Sequence, residues 1–183
     1  MTEEKVKCAI ETNEVKLTNW EKFTHYGIVI YLSCLEVTIV VVSGYDLITK
    51  WPRPLKEGEI WFLIIPTLLV LLSYKLQRKK LQFKCVETNL DLNVLKTIIR
   101  KVGKELGWSL HKENENIFIA KTSPGFFSGS WGEQITIIID QNKVLVNSIC
   151  DPEKNSSITS MGRNRKNMNR LIDEIRNQTA NTL

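Results

Sequence analysis

The chain has 183 residues, of which 25% are charged and 43% apolar, and its formal net charge is +5. That length suits one ordinary domain with additional segments. Its four cysteines, Cys8, Cys34, Cys85 and Cys150, show no CxxC spacing, which excludes a zinc-finger framework, and Cys34 lies in an apolar block where a packing thiol is expected.

The charge is unevenly spread. Residues 1–75 carry 8 Lys/Arg against 9 Asp/Glu, and residues 76–183 carry 17 against 11. The basic excess therefore belongs to the C-terminal part and points to an anionic surface or ligand near it. Residues 1–25 hold five glutamates and no apolar run, so they read as a cytoplasmic N-terminal segment and not as a signal peptide.

Residues 26–48, YGIVIYLSCLEVTIVVVSGYDLI, are almost wholly apolar. A membrane-spanning helix needs about 20 such residues, and this stretch predicts the first span. Residues 59–75, which contain EIWFLIIPTLLVLLSY, predict a second, with Trp61 and Tyr74 suited to the two interfaces. Pro66 is tolerated because membrane helices accommodate proline. Residues 49–58 form the external linker between the spans. Seven Lys/Arg flank the pair of spans against three in the linker, which predicts both termini in the cytoplasm and a multi-pass protein of the inner membrane. Glu36 falls near the middle of the first span, where a charge is expensive. A protonated Glu36 bonded to a polar group of the second helix is expected, with Thr67 at a similar depth, and so is a role in packing within the hairpin or between protomers.

The stretch KLQRKKLQFK follows the second span, and Arg78, Lys79, Lys80 and Lys84 are candidates for anionic lipid headgroups. Residues 76–183 then predict a cytoplasmic α+β domain. Leu81–Glu87 alternates as a strand, and Leu92, Leu95, Ile99, Val102 and Leu106 recur at helical spacing after a cap at Asn89 or Asp91. WSLHKE and NIFIAKT are short strands, EQITIIID and KVLVNSI a hairpin about Gln141-Asn142, and a last helix spans about Gly162–Gln178. The predicted class is α+β: a two-helix transmembrane hairpin followed by a small antiparallel sheet domain with two helices on one face, in the order β-α-β-β-β-β-α.

Two features invite a functional reading. The loop SPGFFSGSWG carries Phe126, Phe127 and Trp131, which are expected either to fold over the open sheet face or to dip into headgroups. The last helix begins with cations on the end that its dipole disfavours. On a helical wheel Met168, Leu171, Ile172 and Ile175 form the core face, while Arg163, Lys166 and Arg170 share another arc. With Ser160 as cap and Gly162 allowing close approach, these residues are anion-binding candidates. The residues ICDP and GRNRKN, before and after the intervening loop, resemble those of uncharacterised membrane-tethered α+β domains in bacterial proteins, over about the last hundred residues. That resemblance implies a tether and a fold but no activity.

Catalysis finds little support. A Cys150–His111 dyad oriented by Asp151 has no supporting spacing, and no metal-ligand spacing or cofactor motif is present. The expected function is a non-enzymatic binding or scaffolding module at the membrane surface, with the bilayer and its anionic headgroups as partners. A protein partner or a second copy could join through the spans. The alternative is a phosphorylated-ligand or nucleic-acid site at the start of the last helix, and nucleic acid is the weaker of the two because the aromatics lie in a different loop.

Overall fold

A computed structural model of the chain describes residues 3–49, 58–123, 130–154 and 160–181. Among these are six helices and five strands: α1 (Glu3–Thr12), α2 (Asn19–His25), α3 (Gly27–Thr49), α4 (Trp61–Lys80), β1 (Lys84–Glu87), α5 (Leu92–Glu105), β2 (Ser109–Glu113), β3 (Ile117–Lys121), β4 (Glu133–Asp140), β5 (Lys143–Cys150) and α6 (Arg163–Asn181). The fold is α+β, with one antiparallel sheet in the order β1-β5-β4-β3-β2. The chain divides into two units, residues 26–79 and residues 1–25 with 80–183.

In the first unit, α3 and α4 are long and apolar enough to cross a membrane. Ile48 is 80% exposed and Phe62 70%. Two side-chain meetings join the helices in antiparallel sense. The Tyr26 and Tyr74 rings stack at 5.6 Å, and the Thr67 hydroxyl donates to Glu36. The same hydroxyl lies 2.7 Å from the Leu63 carbonyl, so its single proton faces two acceptors. Pro66 sits inside α4, which continues to Lys80. The cations at 75–80 therefore extend the helix, as their good helix propensity allows, where the sequence reading ended it at 75.

The second unit is built on the sheet. Alternation along β4 and β5 turns Ile135, Ile137, Ile139, Val144 and Val146 to one face, where they meet Leu95, Ile99 and Val102 of α5 and Leu171, Ile172 and Ile175 of α6. Asp91 caps α5 by accepting from Asn93 N, and Gly107 follows α5 with a φ of +67° that favours glycine. Both elements match the sequence expectation closely, because a helix with one apolar stripe and a strand with period-2 alternation each have one way to bury it.

The other sheet face carries Ile138, Leu145 and Ile149, all buried. Residues 13–17 and 81–83 close it. Val15 N donates to the Leu81 carbonyl at 2.9 Å and Phe83 N to the Asn13 carbonyl at 3.0 Å. Fully buried Asn147 reaches from β5 to the carbonyls of Lys80 and Gln82, each at 2.9 Å. That peg holds residues 80–82 off the β1 ladder, so β1 starts at Lys84 where alternation had predicted Leu81. The N-terminal segment, read from sequence as separate from 76–183, is thus part of the same unit. Its α2 starts with a reciprocal cap, Glu21 N donating to Thr18 Oγ1 at 3.3 Å and Thr18 N to Glu21 at 2.5 Å. Thr24 Oγ1 then donates to the Pro152 carbonyl at 2.6 Å.

Phe83 is buried where these two segments meet. Phe83→Ala is expected to cost about 3–5 kcal/mol, read as a lower denaturant midpoint of the purified full chain in detergent.

Candidate functional site

One end of the sheet collects the residues that the sequence singled out. The register Glu133 to Cys150 and Lys121 to Gln134 places the starts of β4 and the ends of β3 and β5 together. Glu133 is 0% exposed. It accepts from the Thr122 hydroxyl, from Ser130 Oγ at 3.0 Å and from Arg163 Nε at 2.8 Å. A buried carboxylate must be paired and hydrogen-bonded, and these donors meet that need. Gly132 lies just before it at φ +139°, and a Cβ there would come within 2.5 Å of the Thr122 carbonyl oxygen, so only glycine lets β4 start this close to β3.

Beside it, the Lys121 ammonium lies 3.0 Å from Asp151 and 2.6 Å from Glu153. Burial opposes the Lys121 charge, but hydrogen bonds to Glu153 and Asp151 outweigh it and raise the lysine above its ordinary value; the Lys121 hydrogen bond holds Glu153 below its own. Asp151 N donates to the Gly132 carbonyl at 2.9 Å, and Lys154 Nζ to the Trp131 carbonyl at 2.9 Å.

The start of α6 is built from polar contacts. Ser160 Oγ accepts from Asn164 N at 3.5 Å, a long capping contact, and the Ser160 carbonyl accepts from Arg163 N at 3.0 Å. Asn164 and Asn167 turn inward. Trp108 Nε1 donates to Asn167, Asn167 Nδ2 to Ser148 Oγ, and Ser148 Oγ to Asn164, at 3.3, 3.4 and 3.0 Å. Gly103 leaves room for Trp108, since a Cβ there would sit 3.3 Å from the ring.

The three cations of the candidate anion site therefore have different surroundings. Arg163 meets Glu133. Arg170 forms a two-pronged pair with Glu105 at 2.9 and 2.8 Å and a further bond to Glu174 at 2.7 Å. Lys166 is exposed, as is Gly162, whose φ is +82°. Lys101 of α5 also reaches Glu174 at 2.7 Å, so the acid clamps α5 to α6. Hydrogen bonds from Lys101 and then Arg170 hold the Glu174 carboxyl down at about 2 and, with them, Arg170 is raised; the Arg170 hydrogen bond likewise holds Glu105 low.

Of the headgroup candidates, Arg78 and Lys79 are exposed and Lys80 is half-buried, while Lys84 Nζ donates to Asn169 of α6 at 2.8 Å. Trp131 is exposed and does not cover the sheet; Phe126 and Phe127 lie outside the described residues. Cys150 and His111 stand three strands apart, roughly 14 Å at the usual spacing, so the geometry forms no dyad. Among the described residues no group of His, Cys, Asp and Glu could hold a metal ion.

The sequence reading missed Glu133 and the Asn164–Asn167 pair. A glutamate opening an otherwise apolar strand was the available signal for the first. Asparagines spaced i, i+3 on the approach to the core face were the signal for the second.

Glu133→Gln is expected to cost about 3 kcal/mol, because it leaves the Arg163 charge against an amide, whereas exposed Lys166→Gln changes stability by less than about 0.5 kcal/mol. Adding Arg163→Met to Glu133→Gln recovers part of the loss in a double-mutant cycle followed by chemical denaturation. Glu174, with a folded value of about 2 against an ordinary 4.5, contributes stability that is fully present above the ordinary value and is lost as pH falls through the folded one. Denaturation series taken downward from about pH 5 are expected to show an acid limb that Glu174→Gln flattens.

No protein-family model and no curated protein sequence matches this chain.

Proposed function

We propose that this is a multi-pass protein of the inner membrane whose two apolar helices cross as a hairpin, and whose remaining residues form a non-enzymatic binding or scaffolding module on the cytoplasmic side. The observation that carries the reading is that residues 1–25 and 80–183, the two flanks of the apolar pair, belong to one unit. A folded unit occupies one side of a bilayer, so an insertion within it must leave and return. The side chains of α3 and α4 supply the other half of the support. Their exposed apolar surface would be untenable in water and is the natural complement of hydrocarbon.

The excess of flanking cations favours the cytoplasm for that unit. Arg78 and Lys79 are exposed in the last turns of α4, where anionic headgroups would add about 1 kcal/mol per cation. Lys84 has less to offer lipid, since its ammonium is bonded to Asn169. A phosphorylated-ligand or nucleic-acid site at the start of α6 is the weaker reading, because Arg163 and Arg170 already meet carboxylates.

Single-cysteine variants of the full chain test the hairpin. One keeps only exposed Cys85; the other carries only Lys56→Cys in the linker. In inverted inner-membrane vesicles a membrane-impermeant maleimide is expected to label Cys85 and spare the linker, and in right-side-out vesicles the pattern should reverse. Labelling of both positions from the same side would overturn the reading.

A further inference from the structure

Both joins between the sheet-bearing unit and the apolar helices lie at the same end of the sheet. One join follows His25, and its helix α2 is held to Pro152 just beyond β5 through Thr24. The other is Lys80, whose carbonyl is held by Asn147 just ahead of β1. Lys84 pairs with Val146 in mid-strand, and the chain before it runs back past Asn147 toward the end of β5 and the start of β4, the end that carries Gly132, Glu133, Asp151 and the first turn of α6. The opposite end holds the Gln141-Asn142 turn, with Thr88 N bonded to the Asn142 carbonyl, and the last turns of α6, where Thr179 meets Thr88.

Large apolar side chains stand exposed at the end with the joins. Trp20 and Phe23 of α2 are 66% and 54% exposed, and their rings stack at 5.5 Å. Phe23 is four residues before Gly27, so even a fully extended chain keeps it within about 14 Å of the first residue of the apolar helix. Trp131, just before Gly132, is 54% exposed, and Met161, just before α6, is 68% exposed. Arg165 and exposed Lys166 belong to the first turns of α6 beside them. Aromatic rings with a polar edge prefer the headgroup level of a bilayer, and cations there meet phosphates.

We propose that this end of the sheet is a bilayer-docking surface, with Trp20, Phe23, Trp131 and Met161 seated at the headgroup level of the membrane that the apolar helices enter. The proposal rests on the hairpin reading above. The occupant is the bilayer because chain continuity brings lipid within reach of this end at two separate points. Docking also accounts for the cations at the start of α6. Headgroup phosphates facing Arg165 and Lys166 would turn an unfavourable dipole contact into a favourable one.

The test uses the full chain in lipid nanodiscs containing an anionic phospholipid. An environment-sensitive thiol probe is placed at Trp131→Cys, Met161→Cys or Asn142→Cys in a background without other cysteines. Docking predicts blue-shifted emission and quenching by headgroup-labelled lipid at 131 and 161, with the 142 probe remaining water-like. Water-like emission at 131 and 161 would overturn the proposal and leave that surface to a protein partner. Hydroxyl-radical footprinting of the unsubstituted chain reads the same surface without mutation: protection of Trp131 and Met161 in nanodiscs supports docking, and oxidation as fast as their exposure dictates overturns it. The vesicle-labelling pattern of Cys85 and Lys56→Cys reports on the hairpin separately, so loss of docking with that pattern intact removes this proposal alone.

Discussion

A five-stranded antiparallel sheet has two faces, and here both carry isoleucine, leucine or valine at their centres. Covering the second face is the constraint on which the rest of the structure depends. Helices α5 and α6 take the first face. The second is closed by residues 13–17 and 81–83, which hydrogen-bond to each other and are pegged to the sheet by Asn147. Without the N-terminal segment, Ile138, Leu145, Ile149 and Phe83 would lie open, and the hydrophobic cost of leaving such side chains in water is about 1.5–3 kcal/mol each.

That closure has a topological consequence. The covering segment and the sheet are separated in sequence by the two apolar helices, so a folding requirement of the polar unit also constrains how many times the chain can cross a bilayer. The apolar pair needs little packing of its own to return the chain to that unit. Tyr26 meets Tyr74 and Glu36 meets Thr67 in antiparallel sense, and the Thr67 hydroxyl gives the Glu36 carboxyl a partner on an otherwise apolar helix pair.

Charge is managed in the polar unit by pairing more than by exposure. Glu133 with Arg163, Glu174 with Arg170 and Lys101, and Asp151 with Lys121 each join two elements: β4 to α6, α5 to α6, and β3 to the strand end of β5. A buried carboxylate that loses its partner is expensive, so these pairs act as registry devices for the start of α6 and for the helix pair. They also explain why a basic helix start is compatible with a stable fold. Arg163 is neutralised by Glu133, and Arg165 and Lys166 remain at the surface.

Local pattern was enough, by itself, to determine the apolar helices, the β4–β5 hairpin, the core face of α6 and the strand order along the chain, because each depends on spacing within about twenty residues; it narrowed the α5 cap to Asn89 or Asp91, and the structure has Asp91. The reciprocal cap at Thr18 and Glu21 has an equally local T-x-x-E signal, which the sequence reading missed. Glu174, four residues on from Arg170, was within reach of local spacing, whereas the pairing of Arg163 with Glu133 and of Arg170 with Glu105, the inward turn of Asn164 and Asn167, and the attachment of residues 13–17 to the sheet were decided only by the tertiary structure. Each of these joins residues far apart in the chain, and a helical wheel shows which side chains share an arc but not which carboxylate waits opposite. The same limit applies to the candidate site: its cations could be named from the sequence, but Glu133, which decides what Arg163 is for, became visible only once β4 and α6 were brought together.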